Sequence, residues 1–144
     1  MAADSIQLVV VTPVSQPLSE AVNEVTLPGA DGYLGVLPGH APLITELGIG
    51  ELTYKAAGGQ IGLLAIIRGF AEVLPNRVSV LAETAEHPED IDLNRAQQAL
   101  KRAQERIARG GDIDWDRASM ALQRALVRIQ VVHKHQGVNI ATAR

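Results

Sequence analysis

The side chains best suited to chemistry in this 144-residue chain are arginines. Arg95 and Arg102 lie seven apart, and Arg124 and Arg128 lie four apart, so each pair shares one face of a helix. Like charges four apart, as at Arg124 and Arg128, repel by roughly 0.2–0.5 kcal/mol. A face of this kind is either simply solvated or meets something anionic, because guanidinium forks suit phosphates and carboxylates. The other reactive types point away from catalysis. There is no Cys, which excludes disulfides, zinc–thiolate sites and thiol nucleophiles. No Ser stands beside a base in a nucleophile motif, and the carboxylates are scattered or gathered around Glu86–Asp90. A Gly-x-x-x-x-Gly-Lys phosphate loop is missing, and Gly29, Gly32, Gly35 and Gly39 lack the strand–loop–helix setting of a dinucleotide site. His40 falls in a turn, and His133-x-His135 has no third ligand, so no metal site is expected. Four aromatic residues, no recognition motif and a net charge of −3 exclude a nucleic-acid reader.

The elements that must position the arginines come from periodicity. Residues 1–91 carry eleven Asp/Glu and three Lys/Arg, a net of −8. Residues 92–144 carry five and ten, a net of +5. Two parts with different partners follow from that asymmetry. In the basic part, Leu93, Ala96, Leu100, Ala103 and Ile107 recur at alternating three and four. Asp92 is placed to cap this helix and Gly110-Gly111 to end it. Asp112 or Asp114 caps a second helix, with Trp115, Ala118, Leu122, Ala125, Ile129 and Val132 as its stripe. The expectation is an antiparallel helical hairpin over 92–136 with a small-residue, weakly held seam, then a frayed tail over 137–144. A polar, Pro-containing linker over 87–91 precedes it.

Residues 1–86 show no helical period. Ile6–Thr12 is a β-branched run, Val22–Leu27 a weaker strand with Val22 and Val25 out of phase, and Ile49–Ala56 an alternating one. Gly58-Gly59 signals a hairpin. Ile61–Ile67 is apolar almost throughout, as in a strand buried on both faces. Phe70–Leu74 and Val78–Leu81 follow around Pro75-Asn76. Seven or more short strands predict an antiparallel β-sandwich or flattened barrel, hence an α+β chain: sandwich first, two-helix hairpin second. Between Leu27 and Leu43 lies LPGADGYLGVLPGHAPL, where Pro28-Gly29, Asp31-Gly32 and Pro38-Gly39 are turn signals. Turns so close together make a rim suited to contacts. With 47% apolar residues the chain can bury a real core, and no apolar run approaches the ~18 residues of a membrane span. The N-terminus resembles neither a secretory signal nor an Arg-rich transit peptide.

That rim sequence, LPGxxGxLGxLPGHAPL, resembles the signature of the epsilon subunit of bacterial and chloroplast F-type ATP synthases, whose mitochondrial counterpart is called delta. LAETAE at 81–86, IDLNRA at 91–96 and GDIDWDRAS at 111–119 are similar to family segments as well, so the resemblance spans nearly the whole chain. It implies a non-catalytic subunit of the central stalk that couples proton flow to rotation. The sandwich is then expected to meet the gamma subunit and the membrane ring of c subunits through Asp31, Tyr33 and His40. The family often carries an acidic residue where Tyr33 stands, which shifts the expected polar contact to Asp31. A second departure is Arg68-Gly69, where Gly-Gly is common.

The hairpin is expected to inhibit ATP hydrolysis by extending toward the alpha/beta hexamer. There Arg117, Arg124 and Arg128 would meet an acidic segment of the beta subunits. IDLNRA resembles the I/L-D-x-x-R-A motif by which some family members bind ATP without hydrolysing it. On that resemblance Ile91, Asp92, Arg95 and Ala96 are the motif residues, Asp92 toward adenine or ribose and Arg95 toward the phosphates. Glu86, Arg102, Arg124 and Arg128 complete the candidate site. No cofactor is otherwise required. The implied location is peripheral, on the cytoplasmic face of a bacterial plasma membrane or the stromal side of a thylakoid, with membrane contact only through the complex. The competing reading is a free-standing β-sandwich binding module with a helical dimerisation hairpin.

Overall fold

The computed structural model describes residues 4–142, with side-chain surroundings through residue 137. The chain divides after His87 into two compact units. The first is built from six strands: β1 (Ile6–Val11), β2 (Leu18–Gly29), β3 (Gly32–Val36), β4 (Leu43–Ala56), β5 (Ile61–Leu74) and β6 (Arg77–Glu86). They run in the order β1-β6-β5-β4-β2-β3, and β1 also pairs with β2, closing the sheet into a flattened barrel. The α+β class is as expected, with one difference in the sheet: β1 and β6 pair in parallel. The cause is β2, which pairs antiparallel with both β3 and β4. Strands β3 and β4 therefore run the same way, and the up–down alternation slips by one before β6 arrives beside β1.

The strands are fewer and longer than their sequence suggests, for identifiable reasons. A register shift in β2 between Val22 and Glu24 inserts one residue, so Val22 and Val25 both point inward and both are fully buried. Pro28-Gly29 is not a turn. It is the paired end of β2, with Pro28 opposite Tyr33 and Gly29 opposite Gly32, and the chain turns at Ala30-Asp31. Strand β5 runs unbroken through Arg68-Gly69, where φ is +54° and +153°. There the inward phase changes from Leu64 and Ile66 to Ala71 and Val73 as the strand turns a corner. A Cβ on Gly69 would lie 2.1 Å from the Leu81 carbonyl oxygen, so only glycine allows β5 and β6 to approach there.

The core is aliphatic: Ile6, Leu8, Leu27, Leu52, Leu64 and Ile66 are all fully buried. Burial at five consecutive residues, 63–67, bears out the expectation for the apolar run in β5. At the end of this unit, Nε2–H of His87 donates to the Pro17 carbonyl at 2.7 Å, tying the end of the last strand back to the β1–β2 connection.

The second unit opens with a 3₁₀ turn, Pro88–Asp90, whose Pro88 is buried. Helix α1 (Leu93–Arg109) and helix α2 (Trp115–Thr142) form the hairpin. Asp92 caps α1, its Oδ1 accepting the Arg95 backbone N–H at 3.1 Å. Gly110 and Gly111 at φ +62° and +76° end it. Asp114, not Asp112, caps α2, accepting from the Arg117 N–H at 3.1 Å. Two expectations are corrected. Trp115 is not on the seam; it begins α2 and is 53% exposed, because the first residue of a helix precedes the turn that packs. Helix α2 runs on past Gly137 to Thr142, so the tail expected from 137 is helical that far, while residues 143–144 lie outside the described chain. Ala96, Ala103, Ala118, Ala125 and Val132 are buried along the seam as the spacing predicts.

Candidate functional site

Two surfaces carry exposed chemistry, one on each unit. On the barrel, the register sets Glu46, Phe70, Leu81 and Val11 side by side across β4, β5, β6 and β1. Phe70 and Leu81 are more than half exposed, and Ile44, one outward step along β4, is 73% exposed. Corner residues Arg68 and Gly69 join this row in a cleft of about 730 Å³. Arg68 reaches across to Glu83 on the neighbouring strand at 3.1 Å. An apolar row with a charged margin on the outside of a barrel is what a docking surface requires. Sequence alone did not single it out, because alternating exposed Phe and Leu look like any half-buried strand until the register aligns them.

The three rim residues are placed differently. Asp31 is exposed in the β2–β3 turn. Tyr33 lies over β4, its hydroxyl accepting the Glu51 N–H at 3.4 Å above Gly50, where a Cβ would come within 2.9 Å of that oxygen. Tyr33 is nevertheless 62% exposed. His40 belongs to the turn at the other end of β3; Nδ1–H donates to the Ala41 carbonyl at 2.7 Å. Five residues of strand, roughly 17 Å, separate the two turns, so Asp31 and Tyr33 form one contact region and His40 another.

On the hairpin, Arg102, Arg124 and Arg128, which the family resemblance grouped, line one groove, and Arg106 joins them. They surround a groove of about 170 Å³ floored by Ala99, Ala103, Ala121 and Ala125, with no acidic lining residue. Arg106 was legible in principle: it is four residues past Arg102, the same step that links Arg124 to Arg128. Arg95 is exposed and does not line the groove, nor do Glu86, Ile91, Asp92 or Ala96. Ala96 is buried on the seam and Asp92 is engaged as a cap. The same D-x-x-R-A string recurs at 114–118, with the same cap and an equally buried Ala118. At both places the motif starts a helix. Arg117 sits exposed in the first turn of α2, away from the groove.

Residues 5–88 match the family model of the ATP synthase delta/epsilon chain β-sandwich domain, and residues 89–133 match the model of its long α-helix domain. The chain belongs to the delta/epsilon family of ATP synthase subunits. A protein of Koribacter versatilis named ATP synthase epsilon chain is 50% identical over 109 residues, 76% of each chain. One of the same name from Solibacter usitatus is 52% identical over 101 residues, 70% of this chain and 75% of that one. Among solved structures, a chain of the Euglena gracilis mitochondrial ATP synthase matches with a TM-score of 0.76 at 26% identity, covering 85% of this chain and 78% of its own. A chain of the Tetrahymena thermophila mitochondrial ATP synthase shares the fold, with a TM-score of 0.55 at 12% identity over 94% of this chain and 98% of its own. As a delta/epsilon chain the protein is a non-catalytic subunit of the ATP synthase. No described helix is long and apolar enough to cross a membrane.

Proposed function

We propose that this delta/epsilon chain works in the central stalk of a rotary ATP synthase as its epsilon subunit, docking through the barrel and restraining ATP hydrolysis through the hairpin. The observation that carries this reading is the contrast between a firmly packed barrel with an exposed apolar row and a basic hairpin with an alanine seam. The row of Phe70, Leu81 and Ile44, flanked by Glu46 and Glu83, suits the gamma subunit, and Asp31 with Tyr33 suits the rotor ring of c subunits. Membrane association then comes through the complex.

An extended hairpin would present Arg117, Arg124 and Arg128 to acidic groups of the catalytic hexamer. Guanidinium–carboxylate pairs formed away from bulk water would offset the modest seam area given up. ATP, bound without hydrolysis on the arginine groove, would hold the hairpin folded, since a ligand that binds one state shifts the population toward it.

The deciding experiment removes everything after Glu89. ATP hydrolysis by the assembled enzyme should rise while the truncated chain still co-elutes with gamma and the hexamer. An unchanged rate would remove the inhibitory role, and elution of the full chain alone would favour a free-standing binding module. Cysteines at Asp31 or Tyr33 should crosslink to the loops of the rotor ring; crosslinking only from His40 would reverse the placement of the barrel.

A further inference from the structure

The change of phase in β5 puts a cation on the outer face of the barrel. Leu64 and Ile66 point into the core, and in an unbroken strand position 68 would be the next of that set. At φ +54° Arg68 turns outward instead, and from there Ala71 and Val73 form the inward set. Arg68 and Phe70 therefore share the outer face of β5, beside Leu81 and Glu83 on β6. Nη2–H of Arg68 donates to Glu83 Oε1 at 3.1 Å, and both side chains are about half exposed.

The free chain gains little from this arginine. A left-handed backbone strains any residue with a Cβ, whereas glycine would make the same change of phase freely. An ion pair between exposed side chains stabilises only weakly. What Arg68 adds is charge, where positive charge is scarce. Lys55, Arg68 and Arg77 are the only Lys or Arg before residue 92, against eleven acids. Among the described residues that line the cleft, Arg68 is the one cation, in company with Glu46 and Glu83. Strained residues that do not serve stability gather where a partner or ligand is met. An acidic face with an apolar row selects a partner that is apolar at its centre and mainly basic around it. Arg68 would repel such a partner unless an acid stood opposite, and a guanidinium fork matches a carboxylate.

We infer that Arg68 is a specificity determinant of this face: oriented by Glu83, it takes a carboxylate of the partner that covers Phe70 and Leu81. That single acid, set in an otherwise basic margin, fixes the register in which the partner docks. The inference deepens the docking reading of the apolar row and rests on it, with the gamma subunit as the partner.

The test is binding of the full chain to a gamma-containing catalytic hexamer that lacks it, followed by surface plasmon resonance. Phe70→Ala probes the row itself and should weaken binding by about tenfold or more. Arg68→Gly should weaken it by about tenfold, even though the free chain becomes no less stable. A charge exchange, Arg68→Glu with Glu83→Arg, keeps an ion pair on the barrel and reverses what the partner meets. It should weaken binding at least as much as Arg68→Gly, while circular dichroism shows the fold retained. An exchange variant that binds as tightly as the original chain would mean that the pair serves only the barrel, and would overturn the inference. Undiminished binding by Arg68→Gly, with Phe70→Ala impaired, would overturn it too and leave the docking reading standing. Undiminished binding by Phe70→Ala would remove the docking reading and the inference with it.

Discussion

Inside the barrel, Leu8, Leu27, Leu52, Leu64 and Ile66 are fully buried; along the hairpin seam the equivalent places are held by Ala96, Ala103, Ala118 and Ala125. Each Leu-for-Ala difference amounts to three carbons, or about 2 kcal/mol of burial at ~0.8 kcal/mol per CH₂. The barrel is thus held by large side chains and a closed hydrogen-bonded sheet, while the hairpin is held by close approach of two helices that give up little on separating. Charge follows the same division, −8 before residue 92 and +5 from there on. One region is held strongly by its core and the other weakly by its seam.

The largest effect that tests this contrast is expected from Leu64→Ala. A buried leucine lost from a closed barrel should cost about 2–5 kcal/mol, read by urea unfolding. A loss under 1 kcal/mol would mean that the barrel core is not the rigid part. Next is Ala103→Leu, which overpacks the seam and should cost about 1–3 kcal/mol. Limited proteolysis should then cut the hairpin while sparing the barrel; a hairpin stabilised by the larger residue would show a seam with room to fill and break the comparison. Asp92→Ala and Asp114→Ala each remove a helix cap and should each cost about 1 kcal/mol. Their near-equality in far-ultraviolet circular dichroism sharpens the view that both D-x-x-R-A segments start helices. The smallest effect is a gain. Arg68→Gly relieves a left-handed backbone at φ +54° and loses a surface ion pair worth little, for a net of about 0.5 kcal/mol and a rise in Tm of 1–2 °C.

Helix placement was legible because Asp92, the a/d spacing and Gly110-Gly111 all act locally. The sheet was less so. The bulge after Val22 hid a single inward face behind a broken alternation, and the Arg68-Gly69 corner made one long β5 look like two strands. A parallel β1–β6 pairing depends on the sum of all the turns, which no local pattern contains. Of the candidate nucleotide residues, Arg102, Arg124 and Arg128 line one groove; spacing set Arg124 and Arg128 on one face, but it was the family resemblance that grouped Arg102 with them, and Arg95, its spacing partner, lies off the groove. Ile91, Asp92, Arg95 and Ala96 came from a motif whose second occurrence, at 113–118, shows its capping role. Comparing the two helices with each other would have added Arg106.

Closure of the sheet by its first and last strands also sets the order in which the molecule can be made. Val11 pairs with Leu81, seventy residues later, so at roughly 5–20 residues per second the ribosome needs about 4–14 s between them. Through that interval IQLVVV can pair with β2 on one side only, and its other edge is an open, apolar template for a stranger's strand. The hairpin, whose contacts are local, follows β6 and can fold as soon as it emerges, whereas the barrel cannot close until β6 is out. Newly synthesised chains are therefore most exposed to aggregation just before Leu81 is added, and a nascent chain stalled ahead of that point should be the form that chaperones hold.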